Sequence, residues 1–274
     1  MSPFLKQLLA VSGVVLYMIG TGANIAYPGV LLQQLRQRDA AFSLTPEHES
    51  WIASILGLAL ISGIVVAPIC LQKLGRKLTN QLSTLPAMGG WALLVAARGP
   101  AALLISRSLQ GFGMGLQAAA APVSIAEYSS PKHRGAFLAT IAFSFATGML
   151  AAHVFGTLLY WRTAAVACGS VYAVSLILIS ASPETPSYLA SIGRREQCRK
   201  AYRWLRGRDE NSEKELEVLL NSQRRKVGPK LAQFTFYRQM IAKPEFYKPT
   251  LIMMFMFVLF QMSGMPWCRR TPCR

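Results

Sequence analysis

The 274-residue chain is 52% hydrophobic and only 15% charged, yet its formal net charge is +17. Soluble domains carry about 25% charged residues, so an ordinary globular enzyme is the wrong starting point. Nucleic-acid binding, which a pI near 10 would suggest, is set aside because the basic residues flank apolar runs.

A spanning helix needs about 20 mostly apolar residues. Leu8–Tyr27, Trp51–Leu71 and the shorter Leu82–Ala97 carry no charge. Ala101–Ala126 holds only Arg107, near its start, and Ala136–Trp161 holds only His153. Thr163–Ser182 is uncharged, and Thr250–Gly264 is apolar apart from Gln261. The first run could serve as a secretory signal, with Lys6 as its positive flank, but no A-x-A site closes it and five spans follow. It is therefore expected to stay and span. The cysteines are Cys70, Cys168, Cys198, Cys268 and Cys273; none forms a CxxC pair, so neither a zinc nor a redox site is expected.

The basic residues set the expected orientation. With the N-terminus cytoplasmic, the second loop holds Lys73, Arg76 and Lys77, the fourth Lys132 and Arg134, and Pro183–Lys248 fifteen Lys and Arg. The opposite side holds Arg36 and Arg38 against Asp39, Glu47 and Glu49, then Arg98 and Arg162. Pro183–Lys248 is too polar to span. Glu196–Arg206 and Asn211–Ser222 read as amphipathic helices, the second with Leu216, Leu219 and Leu220 at helical spacing and Glu213, Glu215 and Glu217 early. The spacing favours a helical plate under the membrane bundle over a solvated tether.

Gly111, Gly113 and Gly115 crowd the fourth run after Arg107. Small residues let helices approach closely in lipid, so packing is their first reading. A nucleotide loop would need a preceding strand. Inserting Arg at the bilayer centre costs about 2.5 to 3.5 kcal/mol. Arg107 and Glu127 stand at the two ends of one run, where snorkelling would spare much of that cost. Glu127 is near Arg134 in sequence, and Arg76 and Lys77 lie on the same side. Two readings stay open for these charges: a cluster that locks helix ends, or ordinary interfacial anchoring.

Several segments together resemble the major facilitator sugar transporters. They are Leu74-Gly75-Arg76-Lys77 after the second run and Arg107-Ser-Leu-Gln-Gly111-Phe-Gly113-Met-Gly115 in the fourth. Pro122-Val-Ser-Ile-Ala-Glu127, Pro131-Lys-His-Arg134-Gly135, Pro183-Glu184-Thr185-Pro186, Trp204-Leu205-Arg206-Gly207 and Gln261-Met-Ser263-Gly264 follow in order. The style is similar to the insect facilitated trehalose transporters. The resemblance implies two six-helix bundles rocking about a central site. The expected fold class is all-α and polytopic: a six-helix N-terminal bundle over 1–182, a cytoplasmic helical linker over 183–249, a truncated seventh helix over 250–264 and an atypical tail over 265–274.

The same resemblance implies facilitative transport of a sugar, hexose or trehalose-like, with no enzyme chemistry, cofactor or metal. Arg76, Lys77, Arg107, Glu127, Arg134 and Glu184 would form the gating charge network, and Gln261, Ser263 and Gly264 would meet the substrate. The expected partners are the sugar, the lipid bilayer and a second transporter half or full-length relative, with no nucleic acid. The expected location is the plasma membrane.

The chain departs from the family pattern at Gln72, where an acid is usual, and at Ser187, where an arginine ends the signature after the sixth helix. Ala142 replaces a sugar-contacting Gln, and Phe260-Gln261-Met262 replaces a pair of adjacent amides. Each lost hydrogen bond to a polar ligand is worth about 0.5 to 1.5 kcal/mol, so a less polar substrate is one expectation. The segment after Gly264, with two prolines and three arginines, does not extend a spanning helix. It reads as a frame change or alternative exon, and the second functional expectation is a transport-inactive fragment that associates with a full-length transporter. A proton-coupled carrier ranks third, since the first run lacks an acid and Glu127 sits at a membrane edge. His153 reads as packing.

Overall fold

The computed structural model describes residues 2–35, 45–207 and 209–224, with isolated positions 247, 251, 252, 255, 256 and 259. The chain divides into two units, Met1–Asn221 and Ser222–Arg274. In the second, the described positions are helical and mostly apolar, among them Leu251, Ile252, Phe255, Met256 and Leu259. Gln261, Ser263, Gly264 and the tail lie outside the described residues.

Six long helices form the first unit: α1 (Pro3–Leu35), α2 (Pro46–Lys73), α3 (Arg76–Ala96), α4 (Pro100–Tyr128), α5 (Arg134–Leu158) and α6 (Trp161–Ala181). Three short ones follow, α7 (Pro186–Ser191), α8 (Arg195–Arg206) and α9 (Glu210–Arg224). Proline opens α2, α4 and α7, where its missing N–H is no loss. Thr45 caps α2 by accepting the His48 N–H. Pro28, Pro68, Pro86 and Pro122 lie inside helices, as spanning helices tolerate when neighbours support them.

Helix α4 packs along α2 and α3, helix α1 packs along α5 and α6, and α3 meets α6. Exchanging the first three helices with the second three maps this pattern onto itself. Both principal crossings are made by reciprocal glycines. Between α1 and α5, a Cβ on Gly22 would fall inside the Phe145 carbonyl oxygen, and one on Gly148 inside that of Ile19. Between α2 and α4, Gly63 meets the Phe112 oxygen and Gly115 that of Leu60 in the same way. Gly111 likewise lies against the Leu56 oxygen, so the glycines of the fourth run are close-packing residues.

Four of the long helices, α1, α2, α5 and α6, are long and apolar enough on their own to cross a membrane. Helices α3 and α4 are more polar because they face each other with polar side chains. Thr79, Asn80, Ser83 and Thr84 of α3 and Ser106, Gln110, Gln117 and Ser124 of α4 are all buried. Ser83 Oγ donates to Gln117 Oε1 (2.6 Å), and Asn80 Nδ2 donates to Ser124 Oγ (2.8 Å). The outer surface is oily: Ile61 and Val65 on α2, Phe143 and Leu150 on α5 and Ile177 on α6 are exposed.

The expected plate is present. Leu189, Cys198, Ala201, Tyr202 and Leu216 form a second apolar core beneath the bundle. It docks through Gln7 Nε2 donating to the Leu205 carbonyl (3.3 Å) and Arg206 Nη2 donating to that of Ser129 (3.0 Å). The start of α1, the α2–α3 and α4–α5 turns and the segment after α6 therefore share one end of the bundle, as the basic loops require.

Candidate functional site

The turn between α2 and α3 is built around Gly75, at φ +91°. This left-handed geometry suits glycine, and space enforces it too. A Cβ there would lie 2.5 Å from Glu184 Oε2 and 2.6 Å from Tyr188 Cε1. The turn presents the first amides of α3 to Glu184. Glu184 Oε1 accepts from the backbone N–H groups of Arg76 (3.1 Å), Lys77 (3.1 Å) and Thr185 (2.8 Å), and Oε2 accepts from Lys77 N (3.2 Å). A carboxylate on unpaired amides at a helix N-terminus is favoured by about 0.3 to 1 kcal/mol, up to about 2 when partly buried. Glu184 thereby ties the segment after α6 to the start of α3.

The side chain of Arg76 turns the other way. Its Nε (3.1 Å) and Nη2 (2.7 Å) both donate to Glu127 Oε1 at the end of α4, and its guanidinium lies 5.4 Å from the Tyr188 ring centroid. Tyr188 is held by its hydroxyl donating to the Lys73 carbonyl (2.9 Å). Glu127 Oε2 is buried and has no hydrogen-bond partner among the described residues. The two side chains are only 20% and 17% exposed. Buried ion pairs barely stabilise a fold on balance but are costly to break from one side. Such a pair is suited to holding helix ends in one arrangement.

The other expected charges divide. Lys77 joins through its backbone, while its ammonium donates to the Ser180 carbonyl (2.6 Å). Arg134 is exposed and makes no ion pair among the described residues, but with Glu127 it lines a cavity of about 310 Å3 closed by Ser187, Tyr202, Arg206 and Glu215. Around that cavity, burial and then the Glu215 hydrogen bond push Tyr202 up to about 12.

Arg107 does not belong to this cluster and does not snorkel. It is 1% exposed, with Nη1 donating to Asn24 Oδ1 (2.6 Å) and Gln110 Oε1 (2.7 Å) and Nη2 to the Asn24 carbonyl (2.9 Å). Among the described residues, this buried cation is thus held by neutral groups. Asn24, Gln110 and Tyr188 were not singled out from the sequence. The available signal was Asn24, a lone amide in an uncharged apolar run.

The family model described as "Sugar (and other) transporter" matches residues 8–268. The chain belongs to the sugar transporter family. Similar family members include the human solute carrier family 2, facilitated glucose transporter member 6, 35% identical over 80% of this chain and 44% of the relative. The facilitated trehalose transporter Tret1 of Apis mellifera ligustica is 30% identical over 89% of this chain and 49% of the relative. The chain therefore spans about half the length of the curated relatives it matches. Among solved structures, the major facilitator proton:xylose symporter XylE bound to 6-bromo-6-deoxy-D-glucose matches with a TM-score of 0.65 at 21% identity, over 85% of this chain and 56% of that one. Partially occluded inward-open XylE gives 0.64 at 19% identity, over 83% and 61%. At that identity the likeness bears on fold alone.

This sugar transporter family member is an integral, multi-pass membrane protein with the major facilitator fold. Of its departures from the family pattern, Gln72 and Ala142 are exposed, and Ser187 lines the cavity beside Glu127.

Proposed function

We propose that this chain acts as the N-terminal half of a facilitative carrier that moves a sugar, hexose or trehalose-like, by alternating access. The supporting observation is the constellation at one end of the bundle, in which Glu184, Arg76 and Glu127 bind the segment after α6, the start of α3 and the end of α4. In this reading the constellation holds the six helices as one rigid body that rocks against a second bundle. Gln261, Ser263 and Gly264 contribute to the sugar site, with amide and hydroxyl groups suited to an uncharged polyol. The N-terminus and α7–α9 face the cytoplasm, and the membrane is the plasma membrane.

Facilitated movement is favoured over proton coupling by the surroundings of Arg107. A proton carrier needs an acid that titrates within its translocation helices, and the buried cation here is held by Asn24 and Gln110 amides. The acids in the described parts of α1–α6 stand at helix ends: Glu47 and Glu49 open α2, and Glu127 closes α4.

Vesicles containing the chain with a co-expressed second half from a family member should take up labelled hexose or trehalose saturably, and an imposed pH gradient should leave the rate unchanged. Accumulation driven by the gradient would overturn the uniport reading. Absence of uptake with and without the second half would overturn transport and favour the associating-fragment alternative.

A further inference from the structure

Helix α8 carries five basic residues and a single acid. Cys198, Ala201 and Tyr202 are buried in the plate core and Leu205 in the core of the bundle, so the opposite face of the helix is left to polar residues. On that face Glu196, Arg199, Lys200 and Arg203 follow one another at i, i+3, i+4 and i+7, on one stripe of the helix. The stripe and Lys6 of α1 enclose a cavity of about 500 Å3, with Trp204 completing its wall.

The charges in this cavity are not equally committed. Arg203 is engaged by Glu213 through two hydrogen bonds, of 2.7 and 3.1 Å. Lys6, Arg199 and Lys200 make no ion pair among the described residues, although Glu196 lines the same space. Glu196 offsets only one of these charges, so the cations left around the cavity repel each other unless a further anion sits among them.

The position indicates which anion. Lys6 is one turn into a spanning helix, and its neighbours Phe4, Leu5 and Leu8 are exposed and apolar, each 46% to 48% accessible. The Lys6 ammonium stands 5.9 Å from the Trp204 ring centroid. Exposed apolar side chains, a tryptophan and a lysine at one level mark the boundary between hydrocarbon and water. A phosphate at that level, attached to acyl chains lying along the exposed Phe4, Leu5 and Leu8, would meet all three cations. On the orientation proposed above, this end faces the anionic leaflet.

We propose that the cavity between the start of α1 and the polar face of α8 binds the phosphorylated headgroup of an anionic membrane lipid. Lys6, Arg199 and Lys200 are its cationic partners. Glu196 accepts from a headgroup hydroxyl, which favours a phosphorylated polyol over a bare phosphate. The bound lipid pins the plate to the membrane surface beside α1.

The test uses the full chain in mild detergent, titrated with a phosphorylated phosphatidylinositol and followed by native mass spectrometry. Phosphatidylcholine serves as the neutral control and soluble inositol phosphate as the competitor. Each basic residue strengthens attachment to an anionic headgroup about fivefold, so K6Q/R199Q/K200Q should weaken lipid retention on the order of 100-fold. The charge-preserving K6R/R199K/K200R should retain the lipid, which separates lost charge from lost folding. R194Q/R195Q/K132Q, equal in charge change and outside this cavity, should leave retention nearly unchanged. Equal weakening by both neutralising triples would replace the site by a diffuse field and overturn the proposal. Equal retention of phosphatidylcholine, or displacement by soluble inositol phosphate at matching affinity, would overturn a lipid as the occupant. Lipid retention is read without transport, so its failure leaves the carrier reading untouched.

Discussion

The reciprocal glycines predict that one chemical change, Gly to Ala, has opposite effects at different places in the same bundle. At Gly148 and Gly115 the added Cβ would overlap a backbone carbonyl oxygen of the facing helix, of Ile19 and Leu60 respectively. A carbonyl cannot rotate away as a side chain can, so α5 must move off α1, or α4 off α2. Overpacking of this kind costs about 1 to 3 kcal/mol, and the rigid obstacle places these sites in the upper half of that range. Alanine returns about 1 kcal/mol through helix propensity, leaving a net loss of about 1 to 2 kcal/mol. At Gly29, Gly57 and Gly89, inside α1, α2 and α3, nothing lies within 4 Å of the added Cβ. There only the propensity gain remains, about 0.5 to 1 kcal/mol. Titrating the purified variants from mild detergent into a denaturing one, with far-ultraviolet circular dichroism as readout, measures the difference. The Gly148→Ala and Gly115→Ala midpoints should fall below the parent by similar amounts, and those of the open-site variants should rise. If Gly148→Ala matched the parent, the close crossing of α1 and α5 would be wrong, and with it the exchange relation between the two halves.

The other predictions probe single contacts. Glu184→Gln keeps the shape but removes the charge from the start of α3, costing about 1 to 2 kcal/mol. Hydrogen exchange at the Arg76 and Lys77 amides should accelerate, and unchanged exchange would mean that Glu184 is not their acceptor. Arg107→Lys replaces a planar fork reaching three acceptors by a point charge, and losing one hydrogen bond to the charged group should lower the unfolding midpoint by the equivalent of about 2 kcal/mol; an unchanged midpoint would count against the buried fork. Burial pushes the Cys198 thiol up, with Arg199 partly offsetting it. The reactive thiolate is therefore scarce near neutral pH, and maleimide should label Cys198 only after the plate is unfolded; rapid labelling of the native protein would refute the plate core.

The apolar runs made the six long helices legible, because lipid imposes a length and composition that few other environments do. Their ends were less so. The third run reads from Leu82 in composition, yet α3 begins at Arg76, since Glu184, 108 residues away, satisfies its first amides. Likewise α1 continues through Pro28 to Leu35 because Gln34 Nε2 donates to the Gly156 carbonyl (2.8 Å) and its Oε1 accepts from Trp161 N (2.7 Å). Helix α7 was missed although Pro186 marks its first turn. Within the candidate site, Arg76, Lys77, Glu127 and Glu184 were found from motif positions, but the sequence could not say that Lys77 contributes its backbone. Arg107 was misplaced for the same reason: two of its three acceptors are on Asn24, 83 residues away, and only the Gln110 oxygen is local.

The exchange relation between the two halves also allows the charged cluster to be compared, among the described residues, with its counterpart at the other end. It pairs the turn opening α3 with the turn opening α6. At the first, Glu184 caps the amides and Arg76 reaches Glu127. At the second, Arg162 occupies the matching place, but its Nη2 donates to the Ala97 carbonyl (2.9 Å) and its guanidinium lies 4.9 Å from the Trp161 ring centroid. A carbonyl and an aromatic face give a cation modest, neutral support, whereas a half-buried carboxylate binds it in a way that is costly to break from one side. Among the described residues, the two turns therefore differ both in backbone, with Gly75 at φ +91° in one and Tyr160 at φ −61° in the other, and in the charge that supports their arginines.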